Sequence, residues 1–278
     1  MDALTTASTA GAHAAGPVGP PIIRFTSVAK EFDTRAGKLL AARDINLSVA
    51  EGEFVTLVAP SGCGNSTLLN MIAGIFPASR GTVEYRGTPV TTYHGRVGYM
   101  TQNDHLLPWR DVAGNIAVPL EIRRTPRAQM RQRIEELIEF VGLAGFARSY
   151  PAQLSGGMRK RTVLARLLAY DPETLLLDEP FAALDAQLRL RLQIEIRRIG
   201  IELNKTILFV THDLDEAIAL GDRCAVFTPR PGTIKRIFEI GLPRERDLLR
   251  LRHDAAYVEL TAQLWDEMAP VLAGPGNG

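Results

Sequence analysis

Residues 53–74 constrain this chain more than any other stretch. Residues 53–58, Glu53-Phe54-Val55-Thr56-Leu57-Val58, read as a buried strand. The loop Ala59-Pro60-Ser61-Gly62-Cys63-Gly64-Asn65-Ser66-Thr67 follows, and residues 66–74 read as a helix closed by Gly74. A loop between a buried strand and a helix gathers backbone N–H groups and a helix N-terminus, which together favour phosphate oxygens. Gly62 and Gly64 let the backbone approach an anion closely, and the Ser66 hydroxyl is placed to ligate Mg²⁺. The loop follows the phosphate-binding pattern G-x-x-x-x-G-K-[ST] with two departures. Ala59 stands at the first glycine and Asn65 at the lysine. On its own the pattern favours a phosphate loop over an ordinary glycine-rich turn. Cys63 reads as a small residue fitted to a tight turn rather than a redox group.

The flanking chain extends the plan. Residues 22–32 are β-rich, and 44–49 alternate as a half-buried strand should. Glu51-Gly52 marks a turn. Further strands are expected at 82–85, 97–100, 174–177, 206–210, 223–227 and 234–240. Helices are expected at 127–140, 155–170, 186–203 and 213–220. Strands alternating with helices imply an α/β core with a mainly parallel sheet, and the helical stretch beginning near 103 looks inserted into it. The expected division is a disordered tail over 1–21, a principal domain over 22–245 carrying a helical subdomain at about 103–160, and a helical segment with a loose end over 246–278.

Composition bounds the function. The chain has 278 residues, 46% hydrophobic and 23% charged, with a net charge of +1. That balance gives no electrostatic case for nucleic acid or an anionic membrane surface as the main partner. Two cysteines, Cys63 and Cys224, make no disulfide framework and suit a reducing compartment. No run approaches the ~18 apolar residues of a membrane span. The opening residues lack the basic start and apolar core of a secretory signal.

Leu175-Leu176-Leu177-Asp178-Glu179-Pro180 is an apolar strand ending in adjacent carboxylates. Beside a phosphate loop, Asp178 can hold Mg²⁺ through water, and Glu179 can orient or deprotonate an attacking water. The alternative, a strand ended by solvated acids, loses ground once the spacing to other motifs is counted. Leu154-Ser155-Gly156-Gly157-Met158 precedes the basic run Arg159-Lys160-Arg161. In order, the phosphate loop, Gln102, this segment, the Asp178-Glu179 strand, Ala183-Leu184-Asp185 and His212 resemble the motifs of ATP-binding cassette (ABC) ATPases over about residues 22–245. The resemblance implies a P-loop NTPase core with a mainly parallel sheet, an antiparallel β subdomain and an inserted helical subdomain, and it implies ATP and Mg²⁺ as ligands.

Roles follow residue by residue from that resemblance. Residues 59–67 would hold the phosphates. Gln102 would reach Mg²⁺ and the attacking water and couple to membrane subunits. Ser155, Gly156 and Gly157 would cap the γ-phosphate bound by the opposite subunit, and Asp185 would communicate across the dimer. His212 would contact the γ-phosphate and help position Glu179. Phe32 is the candidate to stack on adenine, or else a strand residue of the core. A narrower resemblance to the ATPase subunits of nitrate, sulfonate and taurine importers rests on Gln102-Asn103-Asp104-His105-Leu106-Leu107-Pro108-Trp109-Arg110, Arg230-Pro231-Gly232-Thr233, Leu242-Pro243-Arg244-Glu245-Arg246 and the amphipathic segment 257–268. It implies a homodimer on the cytoplasmic face of the inner membrane, permease subunits as direct partners and a solute-binding protein as an indirect one. Residues 106–110 suit a groove receiving a short permease helix, with Trp109 either docking there or buried in the core. ATPases of DNA repair share the nucleotide motifs but carry long coiled coils, and no sustained heptad occurs between Gln102 and Ser155.

Asn65 keeps a donor amide but loses charge and reach. A hydrogen bond to a charged group contributes roughly 1.5–3 kcal/mol, so ATP binding should weaken roughly 10- to 150-fold, and hydrolysis by more. Three readings compete: an ATPase that tolerates Asn65, with a nearby basic residue standing in; a nucleotide-dependent dimerising module with negligible hydrolysis; and an isolated change in an otherwise competent enzyme. Intact Gln102, Glu179, His212 and Ser155 favour an ATPase with reduced turnover.

Overall fold

The computed structural model describes residues 20–35, 37–59, 65–182 and 184–273. Most of the N-terminal tail, the closing pentapeptide, Ala183 and the phosphate-loop residues Pro60, Ser61, Gly62, Cys63 and Gly64 lie outside the described residues. The chain opens with β1 (Ile23–Thr34) and β2 (Gly37–Val49), paired antiparallel. After a turn at 51–52 comes β3 (Phe54–Val58), buried at every residue. Then follow α1 (Asn65–Ile72), β4 (Arg80–Tyr85), the two-residue β5 (Thr88–Pro89) and β6 (Val97–Met100). The chain leaves the sheet for α2 (Val112–Ile122), α3 (Arg127–Phe140) and α4 (Gly156–Tyr170). It returns as β7 (Thr174–Asp178), α5 (Ala186–Glu202), β8 (Thr206–Thr211), α6 (Leu214–Leu220), β9 (Arg223–Phe227) and β10 (Ile234–Glu239). The helix α7 (Ala255–Ala273) closes the described chain.

Two sheets result. A four-stranded antiparallel sheet runs β2-β1-β4-β5, and a six-stranded sheet runs β10-β9-β3-β8-β7-β6. In the larger sheet every pairing is parallel except that of the edge strand β10 with β9. Strands covered on both faces must be apolar throughout, and β3, β7, β8 and β9 are buried at every position. One core joins α1 and the antiparallel sheet to one side of the parallel strands. A second packs α2, α3, α4 and α5 around Leu175, Leu177, Ile207 and Phe209. A third seats Tyr257, Leu264 and Met268 of α7 on Leu214 and Ile218 of α6.

The expected elements fall where the periodicity put them, with two exceptions. The alternation at 44–49 is only the end of β2, which reaches back to Gly37. Helix α2 was not foreseen as an element of its own: Pro119 sits inside it, and proline normally ends a helix. It is held by Asp111, whose side chain accepts from Gly114 N at 2.7 Å, and by buried Asn115, which bonds Leu107, Arg110 and Asp111. Gly74 ends the α1 segment at φ +72°, where a Cβ would collide with the Thr92 carbonyl. Cys224 is buried, which pushes its thiol up to about 12 and leaves it inert as a nucleophile.

Arg197 joins four parts of the chain. It is buried in α5 and donates to Leu220 O at 2.7 Å, to Asp222 Oδ1 at 2.8 Å and twice to Arg244 O at 3.1 and 3.2 Å. The other Asp222 oxygen accepts from Phe54 N at the start of β3, 3.0 Å away. Removing Arg197 strips the Leu220 and Arg244 carbonyls of their donor and leaves Asp222 only the longer ion pairs to Arg246 at 3.7 Å and Arg244 at 3.9 Å. Arg197→Met should therefore lower the unfolding free energy by about 3 kcal/mol or more, read from urea denaturation.

Candidate functional site

Parallel register brings four strand ends to one edge. Val58 lies beside Thr211, Asp178 beside Val210, and Met100 beside Leu177. The residues that follow these ends are Ala59 and its loop, Glu179, His212, and Thr101-Gln102. Ligands of open α/β sheets bind outside the carboxyl ends of the strands, and this is where the sequence-predicted residues converge.

Side-chain contacts mark the convergence. Ser66, in the first turn of α1, donates its hydroxyl to Asp178 Oδ2 at 2.7 Å, across 112 residues of chain. Gln102 Nε2 lies 3.4 Å from Glu179 Oε2 as donor, and His212 Nδ1 lies 3.6 Å from Glu179 Oε1. Glu179 is turned away from the strand direction: its φ is +48°, in the left-handed region, and its N–H donates to Val210 O at 3.0 Å. A non-glycine residue there costs roughly 1–3 kcal/mol, and the two carboxylates take different partners, Asp178 the Ser66 hydroxyl and Glu179 the Gln102 amide. Burial raises the Asp178 pKa; the Ser66 bond opposes that rise, the neighbouring Glu179 charge adds to it, and the Lys160 charge and the Tyr99 hydroxyl oppose it. Burial first, and then the Asp178 charge, push the Tyr99 hydroxyl up.

The Ser155 segment forms a helix start. Ser155 is the N-cap of α4, its hydroxyl accepting from Met158 N at 3.3 Å, and Gly156 and Gly157 are the first two helical residues. The following basic residues clip α4 to the strand-end segment. Arg159 Nε donates to Asp104 Oδ2 at 3.0 Å, and Lys160 Nζ donates to the Gln102 carbonyl. Sequence reasoning missed this clip, because a basic run on a helix reads as a solvated face. Asp185 caps α5, accepting from Leu188 N at 2.9 Å. The capping pattern could have been read from its place before the helix.

Other predicted residues sit differently. Asn65 opens α1, Thr67 is half-buried within it, and Ala59 is buried at the end of β3. Phe32 stands half-buried in a separate aromatic group, edge-on to Phe76 at 5.3 Å, with Lys30 Nζ 5.2 Å from one ring and 4.5 Å from the other. Trp109 is 71% exposed, which removes the core alternative for it.

The donor set fits a hard cation. A hydroxyl, a carboxylate and an amide oxygen from Ser66, Asp178 and Gln102 are the oxygen ligands that Mg²⁺ takes. Among the described residues no group of three or more His, Cys, Asp or Glu is arranged to hold a metal. Mg²⁺ is commonly held by one or two carboxylates with water and substrate phosphates, so a nucleotide would complete its shell here.

The chain resembles known proteins in both sequence and fold. Residues 42–182 match the family model described as ABC transporter. The chain is 44% identical over 225 residues to an uncharacterized ABC transporter ATP-binding protein of Methanocaldococcus jannaschii, covering 81% of this chain and 84% of that protein. It is 38% identical over 255 residues to a nitrate import ATP-binding protein of Synechococcus elongatus, covering 91% and 93%. It is 43% identical over 219 residues to an aliphatic sulfonates import ATP-binding protein of Bacillus subtilis, covering 78% and 85%. A solved dimeric ATP-binding cassette in a post-hydrolysis state, bound to ADP and Pi, superposes with a TM-score of 0.74 at 27% identity, covering 80% of this chain and all of that one.

Ser66 offers a direct check. Ser66→Ala removes one oxygen donor to the cation, a loss of about 1.5 kcal/mol, so the Mg²⁺ concentration that half-saturates ATP binding should rise about tenfold. Calorimetric titration of Mg²⁺ at fixed ATP measures it.

Proposed function

The chain belongs to the ABC transporter family, and from that premise we propose that it is the ATP-hydrolysing subunit energising a membrane importer for a small anionic solute of the nitrate or sulfonate kind. The observation that carries the reading is the meeting of Ser66, Asp178, Gln102, Glu179 and His212 at one edge of the parallel sheet. In this reading residues 22–245 form the ATPase domain, about 103–160 its helical subdomain, and 246–278 an appended helical segment. The relatives named for nitrate and sulfonate import support the solute class.

The chain's own groups divide the work. Ser66 and Asp178 hold the cation side of the site. Bound Mg²⁺ supplies charge neutralisation on the phosphate oxygens. Glu179, turned out of the strand by its left-handed backbone, accepts the proton of the attacking water. Gln102 and His212 approach opposite oxygens of that carboxylate and fix its orientation. The N-terminus of α4, with Ser155, Gly156 and Gly157, faces the phosphates held by a second copy of the chain, as helix N-termini favour anions. Asp185 at the start of α5 communicates across that dimer, and Phe32 is the candidate adenine platform. The dimer is taken as a homodimer.

The membrane partner has a matching surface. Exposed Ile75, Tyr93 and Ile122 line one depression together with Tyr99 and Pro119. Trp109 is exposed on the segment that follows Gln102. Exposed apolar groups clustered in a depression mark an interaction site, and the permease subunits are proposed to dock here. Among the described residues no helix is long and apolar enough to cross a membrane, so attachment at the cytoplasmic face would run through those subunits.

Asn65 favours a second reading, in which ATP closes the dimer but is not cleaved. Two measurements decide. Asn65→Lys should raise ATP affinity and raise phosphate release at least about tenfold, since one preorganised donor is worth ~10²–10³ in rate. A lysine variant that dimerises with ATP yet releases no phosphate would favour the second reading. In the Asn65→Lys background, Glu179→Gln should trap an ATP-bound dimer visible by size-exclusion chromatography. Continued fast turnover would reject Glu179 as the base.

A further inference from the structure

We propose that Lys160 supplies, from within the same subunit, the positive charge that Asn65 withholds from the nucleotide phosphates. The inference rests on the nucleotide reading above and names the residue that sustains it.

The chain has five lysines. Three pair with carboxylates: Lys38 with Glu31 at 3.8 Å, Lys205 with Asp171 at 2.8 Å and Lys235 with Glu267 at 2.9 Å. Lys30 donates to Pro77 O at 2.8 Å and lies against the Phe32 and Phe76 rings. Lys160 differs from all four. It is 8% exposed, and among the described residues it makes no ion pair and a single hydrogen bond, to the Gln102 carbonyl. An ammonium has three donors, and a buried charge with no carboxylate within ion-pair distance among the described residues, its acceptor being a carbonyl, is expensive. Such a group in a folded chain points to an anion that arrives with a ligand.

Its surroundings say which ligand. The Gln102 carbonyl that it holds belongs to the residue whose amide meets Glu179. Its charge also bears on Asp178, the residue bonded to Ser66 in the first turn of α1. The ammonium therefore shares its neighbourhood with Gln102 and Asp178, groups assigned to the cation. The adjacent cations are committed elsewhere. Arg159 is neutralised by Asp104, and Arg161 donates to the Val141 and Gly142 carbonyls. The start of α4 faces outward at Ser155, while one turn later Lys160 returns toward its own chain's Gln102. A lysine is a compact charge on a flexible four-carbon stem, able to leave a carbonyl for a phosphate oxygen.

The test is a double-mutant cycle on equilibrium ATP affinity, followed by displacement of a fluorescent ATP analogue in Mg²⁺. Lys160→Gln keeps a donor but removes the charge; Lys160→Arg keeps the charge. In the native Asn65 background Lys160→Gln should weaken ATP binding about tenfold or more. With Asn65→Lys also present, the same substitution should weaken it less than about threefold, because the two lysines serve one charge. Lys160→Arg should stay within about threefold of the native chain. Melting without nucleotide adds a readout: removing an unpaired buried charge should leave the melting temperature unchanged or raised. Equal losses in both backgrounds, no loss in the native one, or a Lys160→Gln chain that melts lower or fails to fold would each overturn the proposal. ATP binding that is indifferent to residue 160 sinks this inference alone. Absence of ATP binding in every variant would sink the nucleotide reading beneath it.

Discussion

The hydroxyl of Ser66 donates to Asp178 Oδ2 at 2.7 Å, and the rest of the site is arranged around that bond. It joins the first turn of the helix after β3 to the last residue of β7, two strands that do not touch. The intervening β8 sets their spacing, pairing in parallel with both. Parallel register then fixes what stands beside the bond: Glu179 one residue beyond β7, His212 one residue beyond β8, and Gln102 two residues beyond β6. The site's geometry is thus a consequence of sheet order. Apolar runs buried on both faces hold that order, so the chemistry at the edge draws its rigidity from side chains that never meet a ligand.

Charge is the second constraint. Two carboxylates adjoin at residues 178 and 179, and burial with the Glu179 charge already disfavours an ionised Asp178. Ordinarily a lysine of the loop would offset such a site from one side. Here the cation in reach is Lys160, on the Gln102 carbonyl. The backbone at Glu179 takes a left-handed turn, and its charge still bears on Asp178. A nucleotide with its cation would enter a pocket organised by like charges and balanced by an ammonium from the α4 helix. That links the start of α4, whose cap faces outward, to the interior of the same subunit's site.

Most of this was legible in the sequence, for definable reasons. Strands β3, β7 and β8 are mostly apolar, with polar residues at Thr56 and at the ends of β7 and β8, so their type and place followed from pattern. Helix α3 spans Arg127–Phe140, the very range that its periodicity gives. Residues 178, 179 and 212 were found because each immediately follows such a strand. What escaped notice depends on tertiary contact. Helix α2 tolerates Pro119 because Asp111 and Asn115 secure its start. The exposure of Trp109 cannot be read from its apolar neighbours. Lys160 lies between two arginines, and nothing in that run says which side chain turns inward. The antiparallel sheet was implied by the family resemblance; the residues themselves read only as β-rich, since pairing between β1 and β4 crosses more than fifty residues.

The account's central claim is that these side chains form a single site for a divalent cation together with ATP. Electron paramagnetic resonance of Mn²⁺ substituted for Mg²⁺ tests it most directly. The account predicts one tightly bound Mn²⁺ per chain only when ATP is present, and loss of that signal on Asp178→Asn. Tight Mn²⁺ binding without nucleotide, or an ATP-dependent signal that survives Asp178→Asn unchanged, would contradict it.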